Sequence, residues 1–579
     1  MKRFCWFVLR FALVASLAGS ALAINREAFT ITKYDLQVRI EPEQQRLGAR
    51  GKITLRNDST QPQKIVALQL SSSLNWRAIR VGDKGVQFVS QPYTSDIDHT
   101  GALSEAIVTL PTAVEPKDSV ELEIGYEGVI PLDATRLIQV GVPETIAKHS
   151  SWDEIGPRFT AVRGAGYVTW YPITTESADF SEGNSLFEVT DRWRAREASS
   201  EFKLSLSTPV EDGEMTSTLL CGAGATGSSA GPESGKDHEI RVECRWSPLG
   251  AITPTFAMGR YADQSKAPLK LFNLPGHEEG ATRYANALDP AMKFVSEWFG
   301  RPNTPVAIAD FSDPDSAPFE SGTLLLASMA EDDSMLAGMN LVHELVHSAV
   351  PSSRPWVFEG LAHFAEAMYR QQQGGRQAAL DFLGAHRAAF LDSEKDVAAA
   401  PEKNPGQPLA ETFDETYYRS KAAYVWWMLR DMVGDDALKQ AIGKYRAADD
   451  KDPRYVEQLV EAASKRDLSW FFDDWVYKDR GLPDLRVKSV HLWEADDSPK
   501  RSGVQVITVT LENLGNAGAE VPFAVLFEGG EVRKRIVVGA KSTATTRVEL
   551  PKPASEVVVN DGSIPEVDLT NNVFKVSTP

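Results

Sequence analysis

The chain divides into three stretches that differ in hydrophobic period. From about residue 24 to residue 259 apolar and polar positions alternate. Tyr34-Asp35-Leu36-Gln37-Val38-Arg39-Ile40 keeps every second side chain apolar, and 49–55, 119–126 and 202–207 do the same. A period of two belongs to strands with one buried face, and the short turn signals between the runs predict antiparallel sheets. After about Lys266 the period lengthens. Residues 284–299, 335–349, 357–370, 377–391, 422–433, 435–445, 455–465 and 468–477 have helical spacing and length. Strand-like runs at 305–309 and 323–327 separate the first two helices. Beyond Pro483 short alternating strands return at 504–511, 521–527, 532–538 and 545–550, which predicts a small β-sandwich. The expected fold class is multidomain α+β. An N-terminal antiparallel β-sheet domain covers 24–265, a mainly α-helical domain 266–485, and a C-terminal β-sandwich 486–579.

Composition adds compartment and partners. The 579 residues are 42% hydrophobic and 24% charged, a globular balance long enough for several domains. Residues 1–23 stand apart as a signal peptide: Lys2 and Arg3 precede an apolar run centred on Phe11 to Leu17, and Ala21-Leu22-Ala23 supplies a small-x-small cleavage pattern. Export to the periplasm or the extracellular space is expected, with no membrane span afterwards. A membrane anchor is the competing reading, and Arg10 shortens the apolar stretch below what a bilayer requires. The formal net charge of -19 repels nucleic acid and anionic lipid, so neither is an expected partner. Beyond the leader the cysteines are Cys221 and Cys244, flanking a Gly/Ser-rich segment between two strand-like runs. A hairpin would bring them together as a disulfide, contributing roughly 3 kcal/mol in the chain-entropy model. Two buried thiols are the alternative.

The sharpest chemical signal is His343-Glu344-Leu345-Val346-His347. Residues four apart share a helix face, so both imidazoles can ligate one zinc ion, with Glu344 beside them to take a proton from water. A zinc-held water has its pKa lowered towards about 7. The helix around the pair is apolar, and an unpaired buried imidazole is costly. A catalytic zinc needs a third protein ligand and one open position. Glu359 and Glu366 compete for that role. Pro351 ends the metal helix, and Ser353 and Pro355 start its successor. In an antiparallel helix pair Glu359 lies level with the histidines, whereas Glu366 sits roughly 10 Å farther on. Glu359 is therefore the expected third ligand, and Glu366 either an outer acceptor or a solvated carboxylate.

These residues resemble the gluzincin aminopeptidases, the family of aminopeptidase N and leukotriene hydrolase. Trp356-Val357-Phe358-Glu359-Gly360-Leu361-Ala362 is similar to the family's Trp-Leu-x-Glu-Gly-Phe-Ala segment, whose glutamate is the third zinc ligand. Residues 421–445, 471–477 and 481–485 also resemble the later part of its catalytic domain. The likeness is strong over 281–485 and weaker over 24–259. It implies a thermolysin-like catalytic domain, one Zn2+ and hydrolysis of peptide or protein substrates from the N-terminus. The chain departs from the family in three places. His347 and Glu359 are separated by 11 residues where the family usually has 18. The family's oxyanion-stabilising tyrosine lies two residues before a Lys-Gly-Ala triplet; here Lys421-Ala422-Ala423 matches the triplet but Arg419 holds the tyrosine's place, beside Tyr418 and Tyr417. A hydroxyl from Tyr418 is the expected donor, ordinary aromatic packing the alternative. Finally, the family's Gly-Ala-Met-Glu-Asn segment binds the substrate amine, and Ala317-Pro318-Phe319-Glu320-Ser321 keeps only the glutamate. Glu320 is expected to pair with that ammonium, beside an edge strand at 323–327.

The expected chemistry is metal-assisted amide hydrolysis: His343, His347 and Glu359 on zinc, Glu344 as base, Tyr418 on the oxyanion and Glu320 on the substrate amine. Two rivals differ in class. One is a zinc endopeptidase with no need of a free amine, the other a non-catalytic surface-binding protein on a peptidase scaffold.

Overall fold

A computed structural model describes residues 24–94, 100–139, 141–150, 153–164, 168–174, 186–209, 217–222, 225–228, 239–311, 313–330, 333–399, 408–492 and 505–576. The signal peptide expected at 1–23 and most of the Gly/Ser-rich segment after Gly222 lie outside these residues.

The N-terminal region is built on a seven-stranded sheet whose centre is Phe29–Glu41 beside Arg46–Asn57. The alternation in the first of these strands is realised as burial: Tyr34, Leu36, Val38 and Ile40 face inward while Lys33, Gln37 and Arg39 are exposed. The sheet is not wholly antiparallel, because Phe29–Glu41 runs parallel to Glu201–Pro209. That pairing needs a long crossover, which sequence period alone does not reveal. A three-stranded sheet (Gln63–Ser71, Ala102–Val114, Gln87–Thr94) and a five-stranded one complete the region. Their shared core centres on Tyr34, Trp170, Tyr171 and Phe202. Helix α1 (Leu186–Glu197), and two shorter helices at Thr135–Gln139 and Glu144–Ser150, interrupt a region expected to be mostly strands.

Among the described residues the two cysteine strands do not pair with each other as the expected hairpin, yet the disulfide is present. Thr218–Cys221 pairs within the five-stranded sheet, and Glu239–Trp246 pairs with Glu201–Pro209 in the seven-stranded sheet. The bond therefore ties two sheets together.

The middle region sets a five-stranded sheet against helices. Leu269–Asn273, Val306–Ala309 and Leu324–Leu326 run parallel, and Phe319–Ser321 folds back antiparallel as the edge strand. The edge is therefore the strand that carries Glu320, one place out from the strand expected there. Helix α2 (Glu278–Trp298) packs on α3 (Ser334–Ala349), and α3 on α4 (Pro355–Ala399). The two helices expected at 357–370 and 377–391 are both present, meeting within Pro355–Ala399 at a kink where Gly375 takes a non-helical φ of 78°. A π-helical turn, Thr416–Lys421, leads into α5 (Ala422–Val433). The C-terminal strands form two sheets, and their core residues, among them Val509, Val525 and Val557, are continuous with the helical core. Among the described residues, no helix is long and apolar enough to cross a membrane.

Candidate metal centre

Helix α3 starts where the Asp333 carboxylate accepts the N–H groups of Met335 and Leu336, and stops at Ala349, two residues before Pro351. His343, Glu344 and His347 lie on its buried side. Helix α4 begins at Pro355 and is pressed against α5. Trp356 stacks on Trp426, whose indole N–H donates to the Trp356 carbonyl at 3.1 Å. Gly360 makes this approach possible, since a Cβ there would meet the Ala422 Cβ at 2.7 Å. The packing holds the preceding residue, Glu359, opposite α3.

Glu359 Oε2 lies 3.7 Å from His343 Nε2, and Glu359 Oε1 lies 3.8 Å from His347 Nε2. Glu320 reaches the same point from the edge strand, 3.0 Å from His343 Nε2 and 2.5 Å from His347 Nε2. These four groups each offer a ligand atom within 4.8 Å of the others. Neighbouring ligands of a tetrahedral zinc, each about 2.0–2.2 Å from the ion, span comparable distances.

Whether the residues fit a cation can be tested on their hydrogen bonds. His343 Nε2, both nitrogens of His347, Glu359 Oε2, Glu320 Oε1 and both oxygens of Glu344 are buried without hydrogen-bond partners. The close contacts are thus misaligned as hydrogen bonds, and so many orphaned polar atoms in one place cost far more than a fold tolerates unless something else binds them. A divalent cation on the nitrogens and carboxylates would satisfy them. The donor set, two imidazoles and one or two carboxylates, suits zinc.

The surroundings orient the ligands. The His347 ring stacks on Phe358, with centroids 3.7 Å apart. His343 Nδ1 lies 3.4 Å from Glu366 Oε1, which leaves Nε2 for the cluster. Glu366 is buried, so the solvated alternative fails and the acceptor reading fits its position. It also binds His363 Nδ1 at 2.7 Å, and His363 Nε2 lies 4.0 Å from Glu359 Oε2. Burial, and then the nearby Glu320 carboxylate, pushes the Glu344 carboxyl well above its ordinary range. A bound cation reverses that direction by supplying positive charge. Burial opposes the charge of Glu320, but the His347 and His343 imidazoles overcome it and hold its carboxyl well below the usual range.

The two tyrosines part company. Tyr417 packs under the Lys421 ammonium, 5.3 Å from its ring centre. Tyr418 is 2% exposed and accepts from Arg194 Nη1 at 3.3 Å. Arg194 comes from α1 and also binds Glu415 at 2.7 Å and Thr253 at 3.2 Å. Arg419 reaches the ligands themselves, with Nε 3.3 Å from Glu359 Oε2. The N-terminal region leans on the Glu320 strand next door: Ser321 Oγ donates to the Thr253 carbonyl at 2.6 Å, and a Cβ on Gly222 would meet Ser321 Oγ at 2.5 Å.

Sequence reasoning missed His363, Arg194 and the reach of Arg419. His363 was findable: it stands four residues after Glu359 and three before Glu366, on one helix face. Arg194 carries no local signal, because more than two hundred residues of chain separate it from its partner Glu415.

No family model matches the chain, and no curated protein matches it in sequence. Among solved structures, the fold is similar to that of Legionella pneumophila aminopeptidase A in complex with aspartic acid. The TM-score is 0.60 at 12% identity, over 93% of this chain and 59% of that one. An M1 zinc metallopeptidase from Deinococcus radiodurans aligns with a TM-score of 0.46 at 16% identity, over 76% of this chain and 91% of that one. At such identities the Legionella likeness is one of fold, a β region ahead of sheet and helices.

Proposed function

We propose that the chain is a zinc-dependent metallopeptidase that removes residues from peptide N-termini outside the cytoplasm. The observation that carries this reading is the convergence of His343, His347 and Glu359, all with partnerless atoms, beside a Glu344 carboxylate that nothing else engages. The fold shared with the Legionella aminopeptidase supports it. In this reading 266–485 is the catalytic unit, 24–265 and 486–579 flank it, and 1–23 is removed on export.

His343, His347 and Glu359 hold the ion. Bound zinc would supply Lewis acidity to the scissile carbonyl and lower the pKa of the attacking water. Glu344 takes a proton from that water as its oxygen bonds to the carbonyl carbon, and returns it to the amine as the C–N bond breaks. Glu320 pairs with the substrate's terminal ammonium in a charge-assisted contact. The donor to the carbonyl oxygen comes from the π-helical turn Thr416–Lys421, which carries both Tyr418 and Arg419.

A second reading has an observation in its favour. Glu320 lies nearer to both histidines than Glu359 does, so it also suits a fourth ligand that closes a structural site. Replacing Glu320 by Ala separates the two. In the peptidase reading the variant retains one zinc per chain, by metal analysis, and no longer prefers an amino-acid amide over its N-acetylated form. Loss of zinc from that variant, together with an inert wild type, would establish the closed site instead.

A further inference from the structure

A carbonyl oxygen that gains charge during hydrolysis needs a donor aimed at it from the protein. The π-helical turn Thr416–Lys421 sends three candidate side chains in different directions, and wide turns of this kind recur at functional sites. Tyr417 is turned to Lys421. Tyr418 is buried, with its hydroxyl against Arg194. Arg419 alone of the three ends at the ligand cluster, 3.3 Å from Glu359, while 34% of its side chain stays open to solvent. Its Nε, despite that distance, makes no hydrogen bond. A guanidinium carries five donors in a rigid fork, so one edge can face Glu359 while another faces a ligand. Its rear is anchored: Glu415 Oε2 lies 3.8 Å from Arg419 Nη1, and Glu415 is itself fixed by Arg194.

We propose that Arg419, rather than Tyr418, donates to the oxyanion of the tetrahedral intermediate, and that Glu415 and Arg194 position it. This rests on the peptidase reading above. As water oxygen bonds to the carbonyl carbon and Glu344 takes its proton, the carbonyl π pair moves onto oxygen. Arg419 N–H groups stabilise that charge without giving up a proton. The pair then returns to re-form the carbonyl, the C–N bond breaks, and Glu344 protonates the leaving amine.

The test compares Arg419→Met, Arg419→Gln and Tyr418→Phe in the full zinc-loaded chain, with metal analysis on each. Arg419→Met and Arg419→Gln should keep zinc and KM while kcat falls about 10²–10³-fold, the range for one lost oxyanion donor. Affinity for a phosphinic pseudodipeptide, which mimics the tetrahedral state, should fall in parallel by calorimetry, and affinity for a product amino acid should not. Tyr418→Phe should keep kcat within a few-fold and leave affinity for the phosphinic pseudodipeptide unchanged. The proposal is overturned if Tyr418→Phe loses as much as the arginine variants, if those variants keep full kcat, or if they shed zinc, which would assign Arg419 to holding Glu359. A zinc-loaded wild type that cleaves no peptide bond would overturn the peptidase reading as well, an outcome distinct from the first three.

Discussion

Two clusters of buried charge hang from the same pair of elements, helix α4 and the π-helical turn. Around Glu394 and Lys421 the ammonium lies 2.6 Å from Glu394 Oε1 and 2.8 Å from Asp479 Oδ1, all three side chains being almost wholly buried. Around Glu359 and Arg419, the Nε2 atoms of His343 and His347 and the facing carboxylate oxygens of Glu359 and Glu320 point at one another without forming hydrogen bonds. Burial is similar in the two places. Lys421 bonds both of its carboxylates and leaves Glu394 Oε2 without a partner, whereas in the histidine cluster atoms of His343, His347, Glu359 and Glu320 and both oxygens of Glu344 are left so; the first cluster serves the fold, and the second calls for a further charge. Hydrogen-bond satisfaction, more than burial or charge, separates a structural ion cluster from a site that binds something.

The largest effect is expected from Glu344→Gln in the histidine cluster. Turnover of an amino-acid amide should fall about 10³-fold with zinc retained, since only the base is removed; substantial residual turnover would count against the mechanism. The other cluster should answer in stability. Lys421→Met strands Glu394 and Asp479, and urea unfolding should show a loss of about 3–5 kcal/mol. Zinc per folded molecule should stay the same, and a drop in it would show the clusters to be coupled. Glu366→Ala removes the acceptor behind His343, so competition with a chelator should reveal zinc affinity lowered about 10–100-fold.

A third buried carboxylate is held by a phenol. Glu197 accepts from the Tyr34 hydroxyl at 2.8 Å, and burial pushes its carboxyl up to about 8. The native state then holds a proton that the unfolded chain releases near its ordinary value. The contribution is fully present below pH 4.5 and is lost as pH rises through about 8. Glu197→Gln should flatten that decline by at most about 1.4 kcal/mol per pH unit, measured as unfolding free energy at pH 5 and pH 8. An unchanged slope would place the titration elsewhere.

Much of the scaffold of this centre can be read from the chain. Helix α5 spans the expected 422–433, and α3 differs from 335–349 by one residue, because Asp333 and Pro351 punctuate it locally. The turn between α3 and α4 is short enough for rise-per-residue arithmetic to bring Glu359 opposite the histidines. What depends on distant pairing stayed hidden. The parallel partner of Phe29–Glu41, the edge position of the Glu320 strand and the approach of Arg194 are set by contacts across large sequence separations, to which periodicity is blind. Helix α1 was missed because its sequence, with Arg192, Arg194, Arg196 and Glu197 along one stretch, shows little apolar stripe.

The bond between Cys221 and Cys244 makes the support of the Glu320 strand answerable to thiol chemistry. It clamps the strand Thr218–Cys221 to the neighbouring sheet, and the very next residue, Gly222, abuts Ser321. Ser321 is the chain neighbour of Glu320. A reductant that opens the clamp would therefore loosen the ground beneath that carboxylate while leaving the two helices of the metal cluster tied to each other. Redox poise would then act on how a substrate is gripped before it acts on how an ion is held.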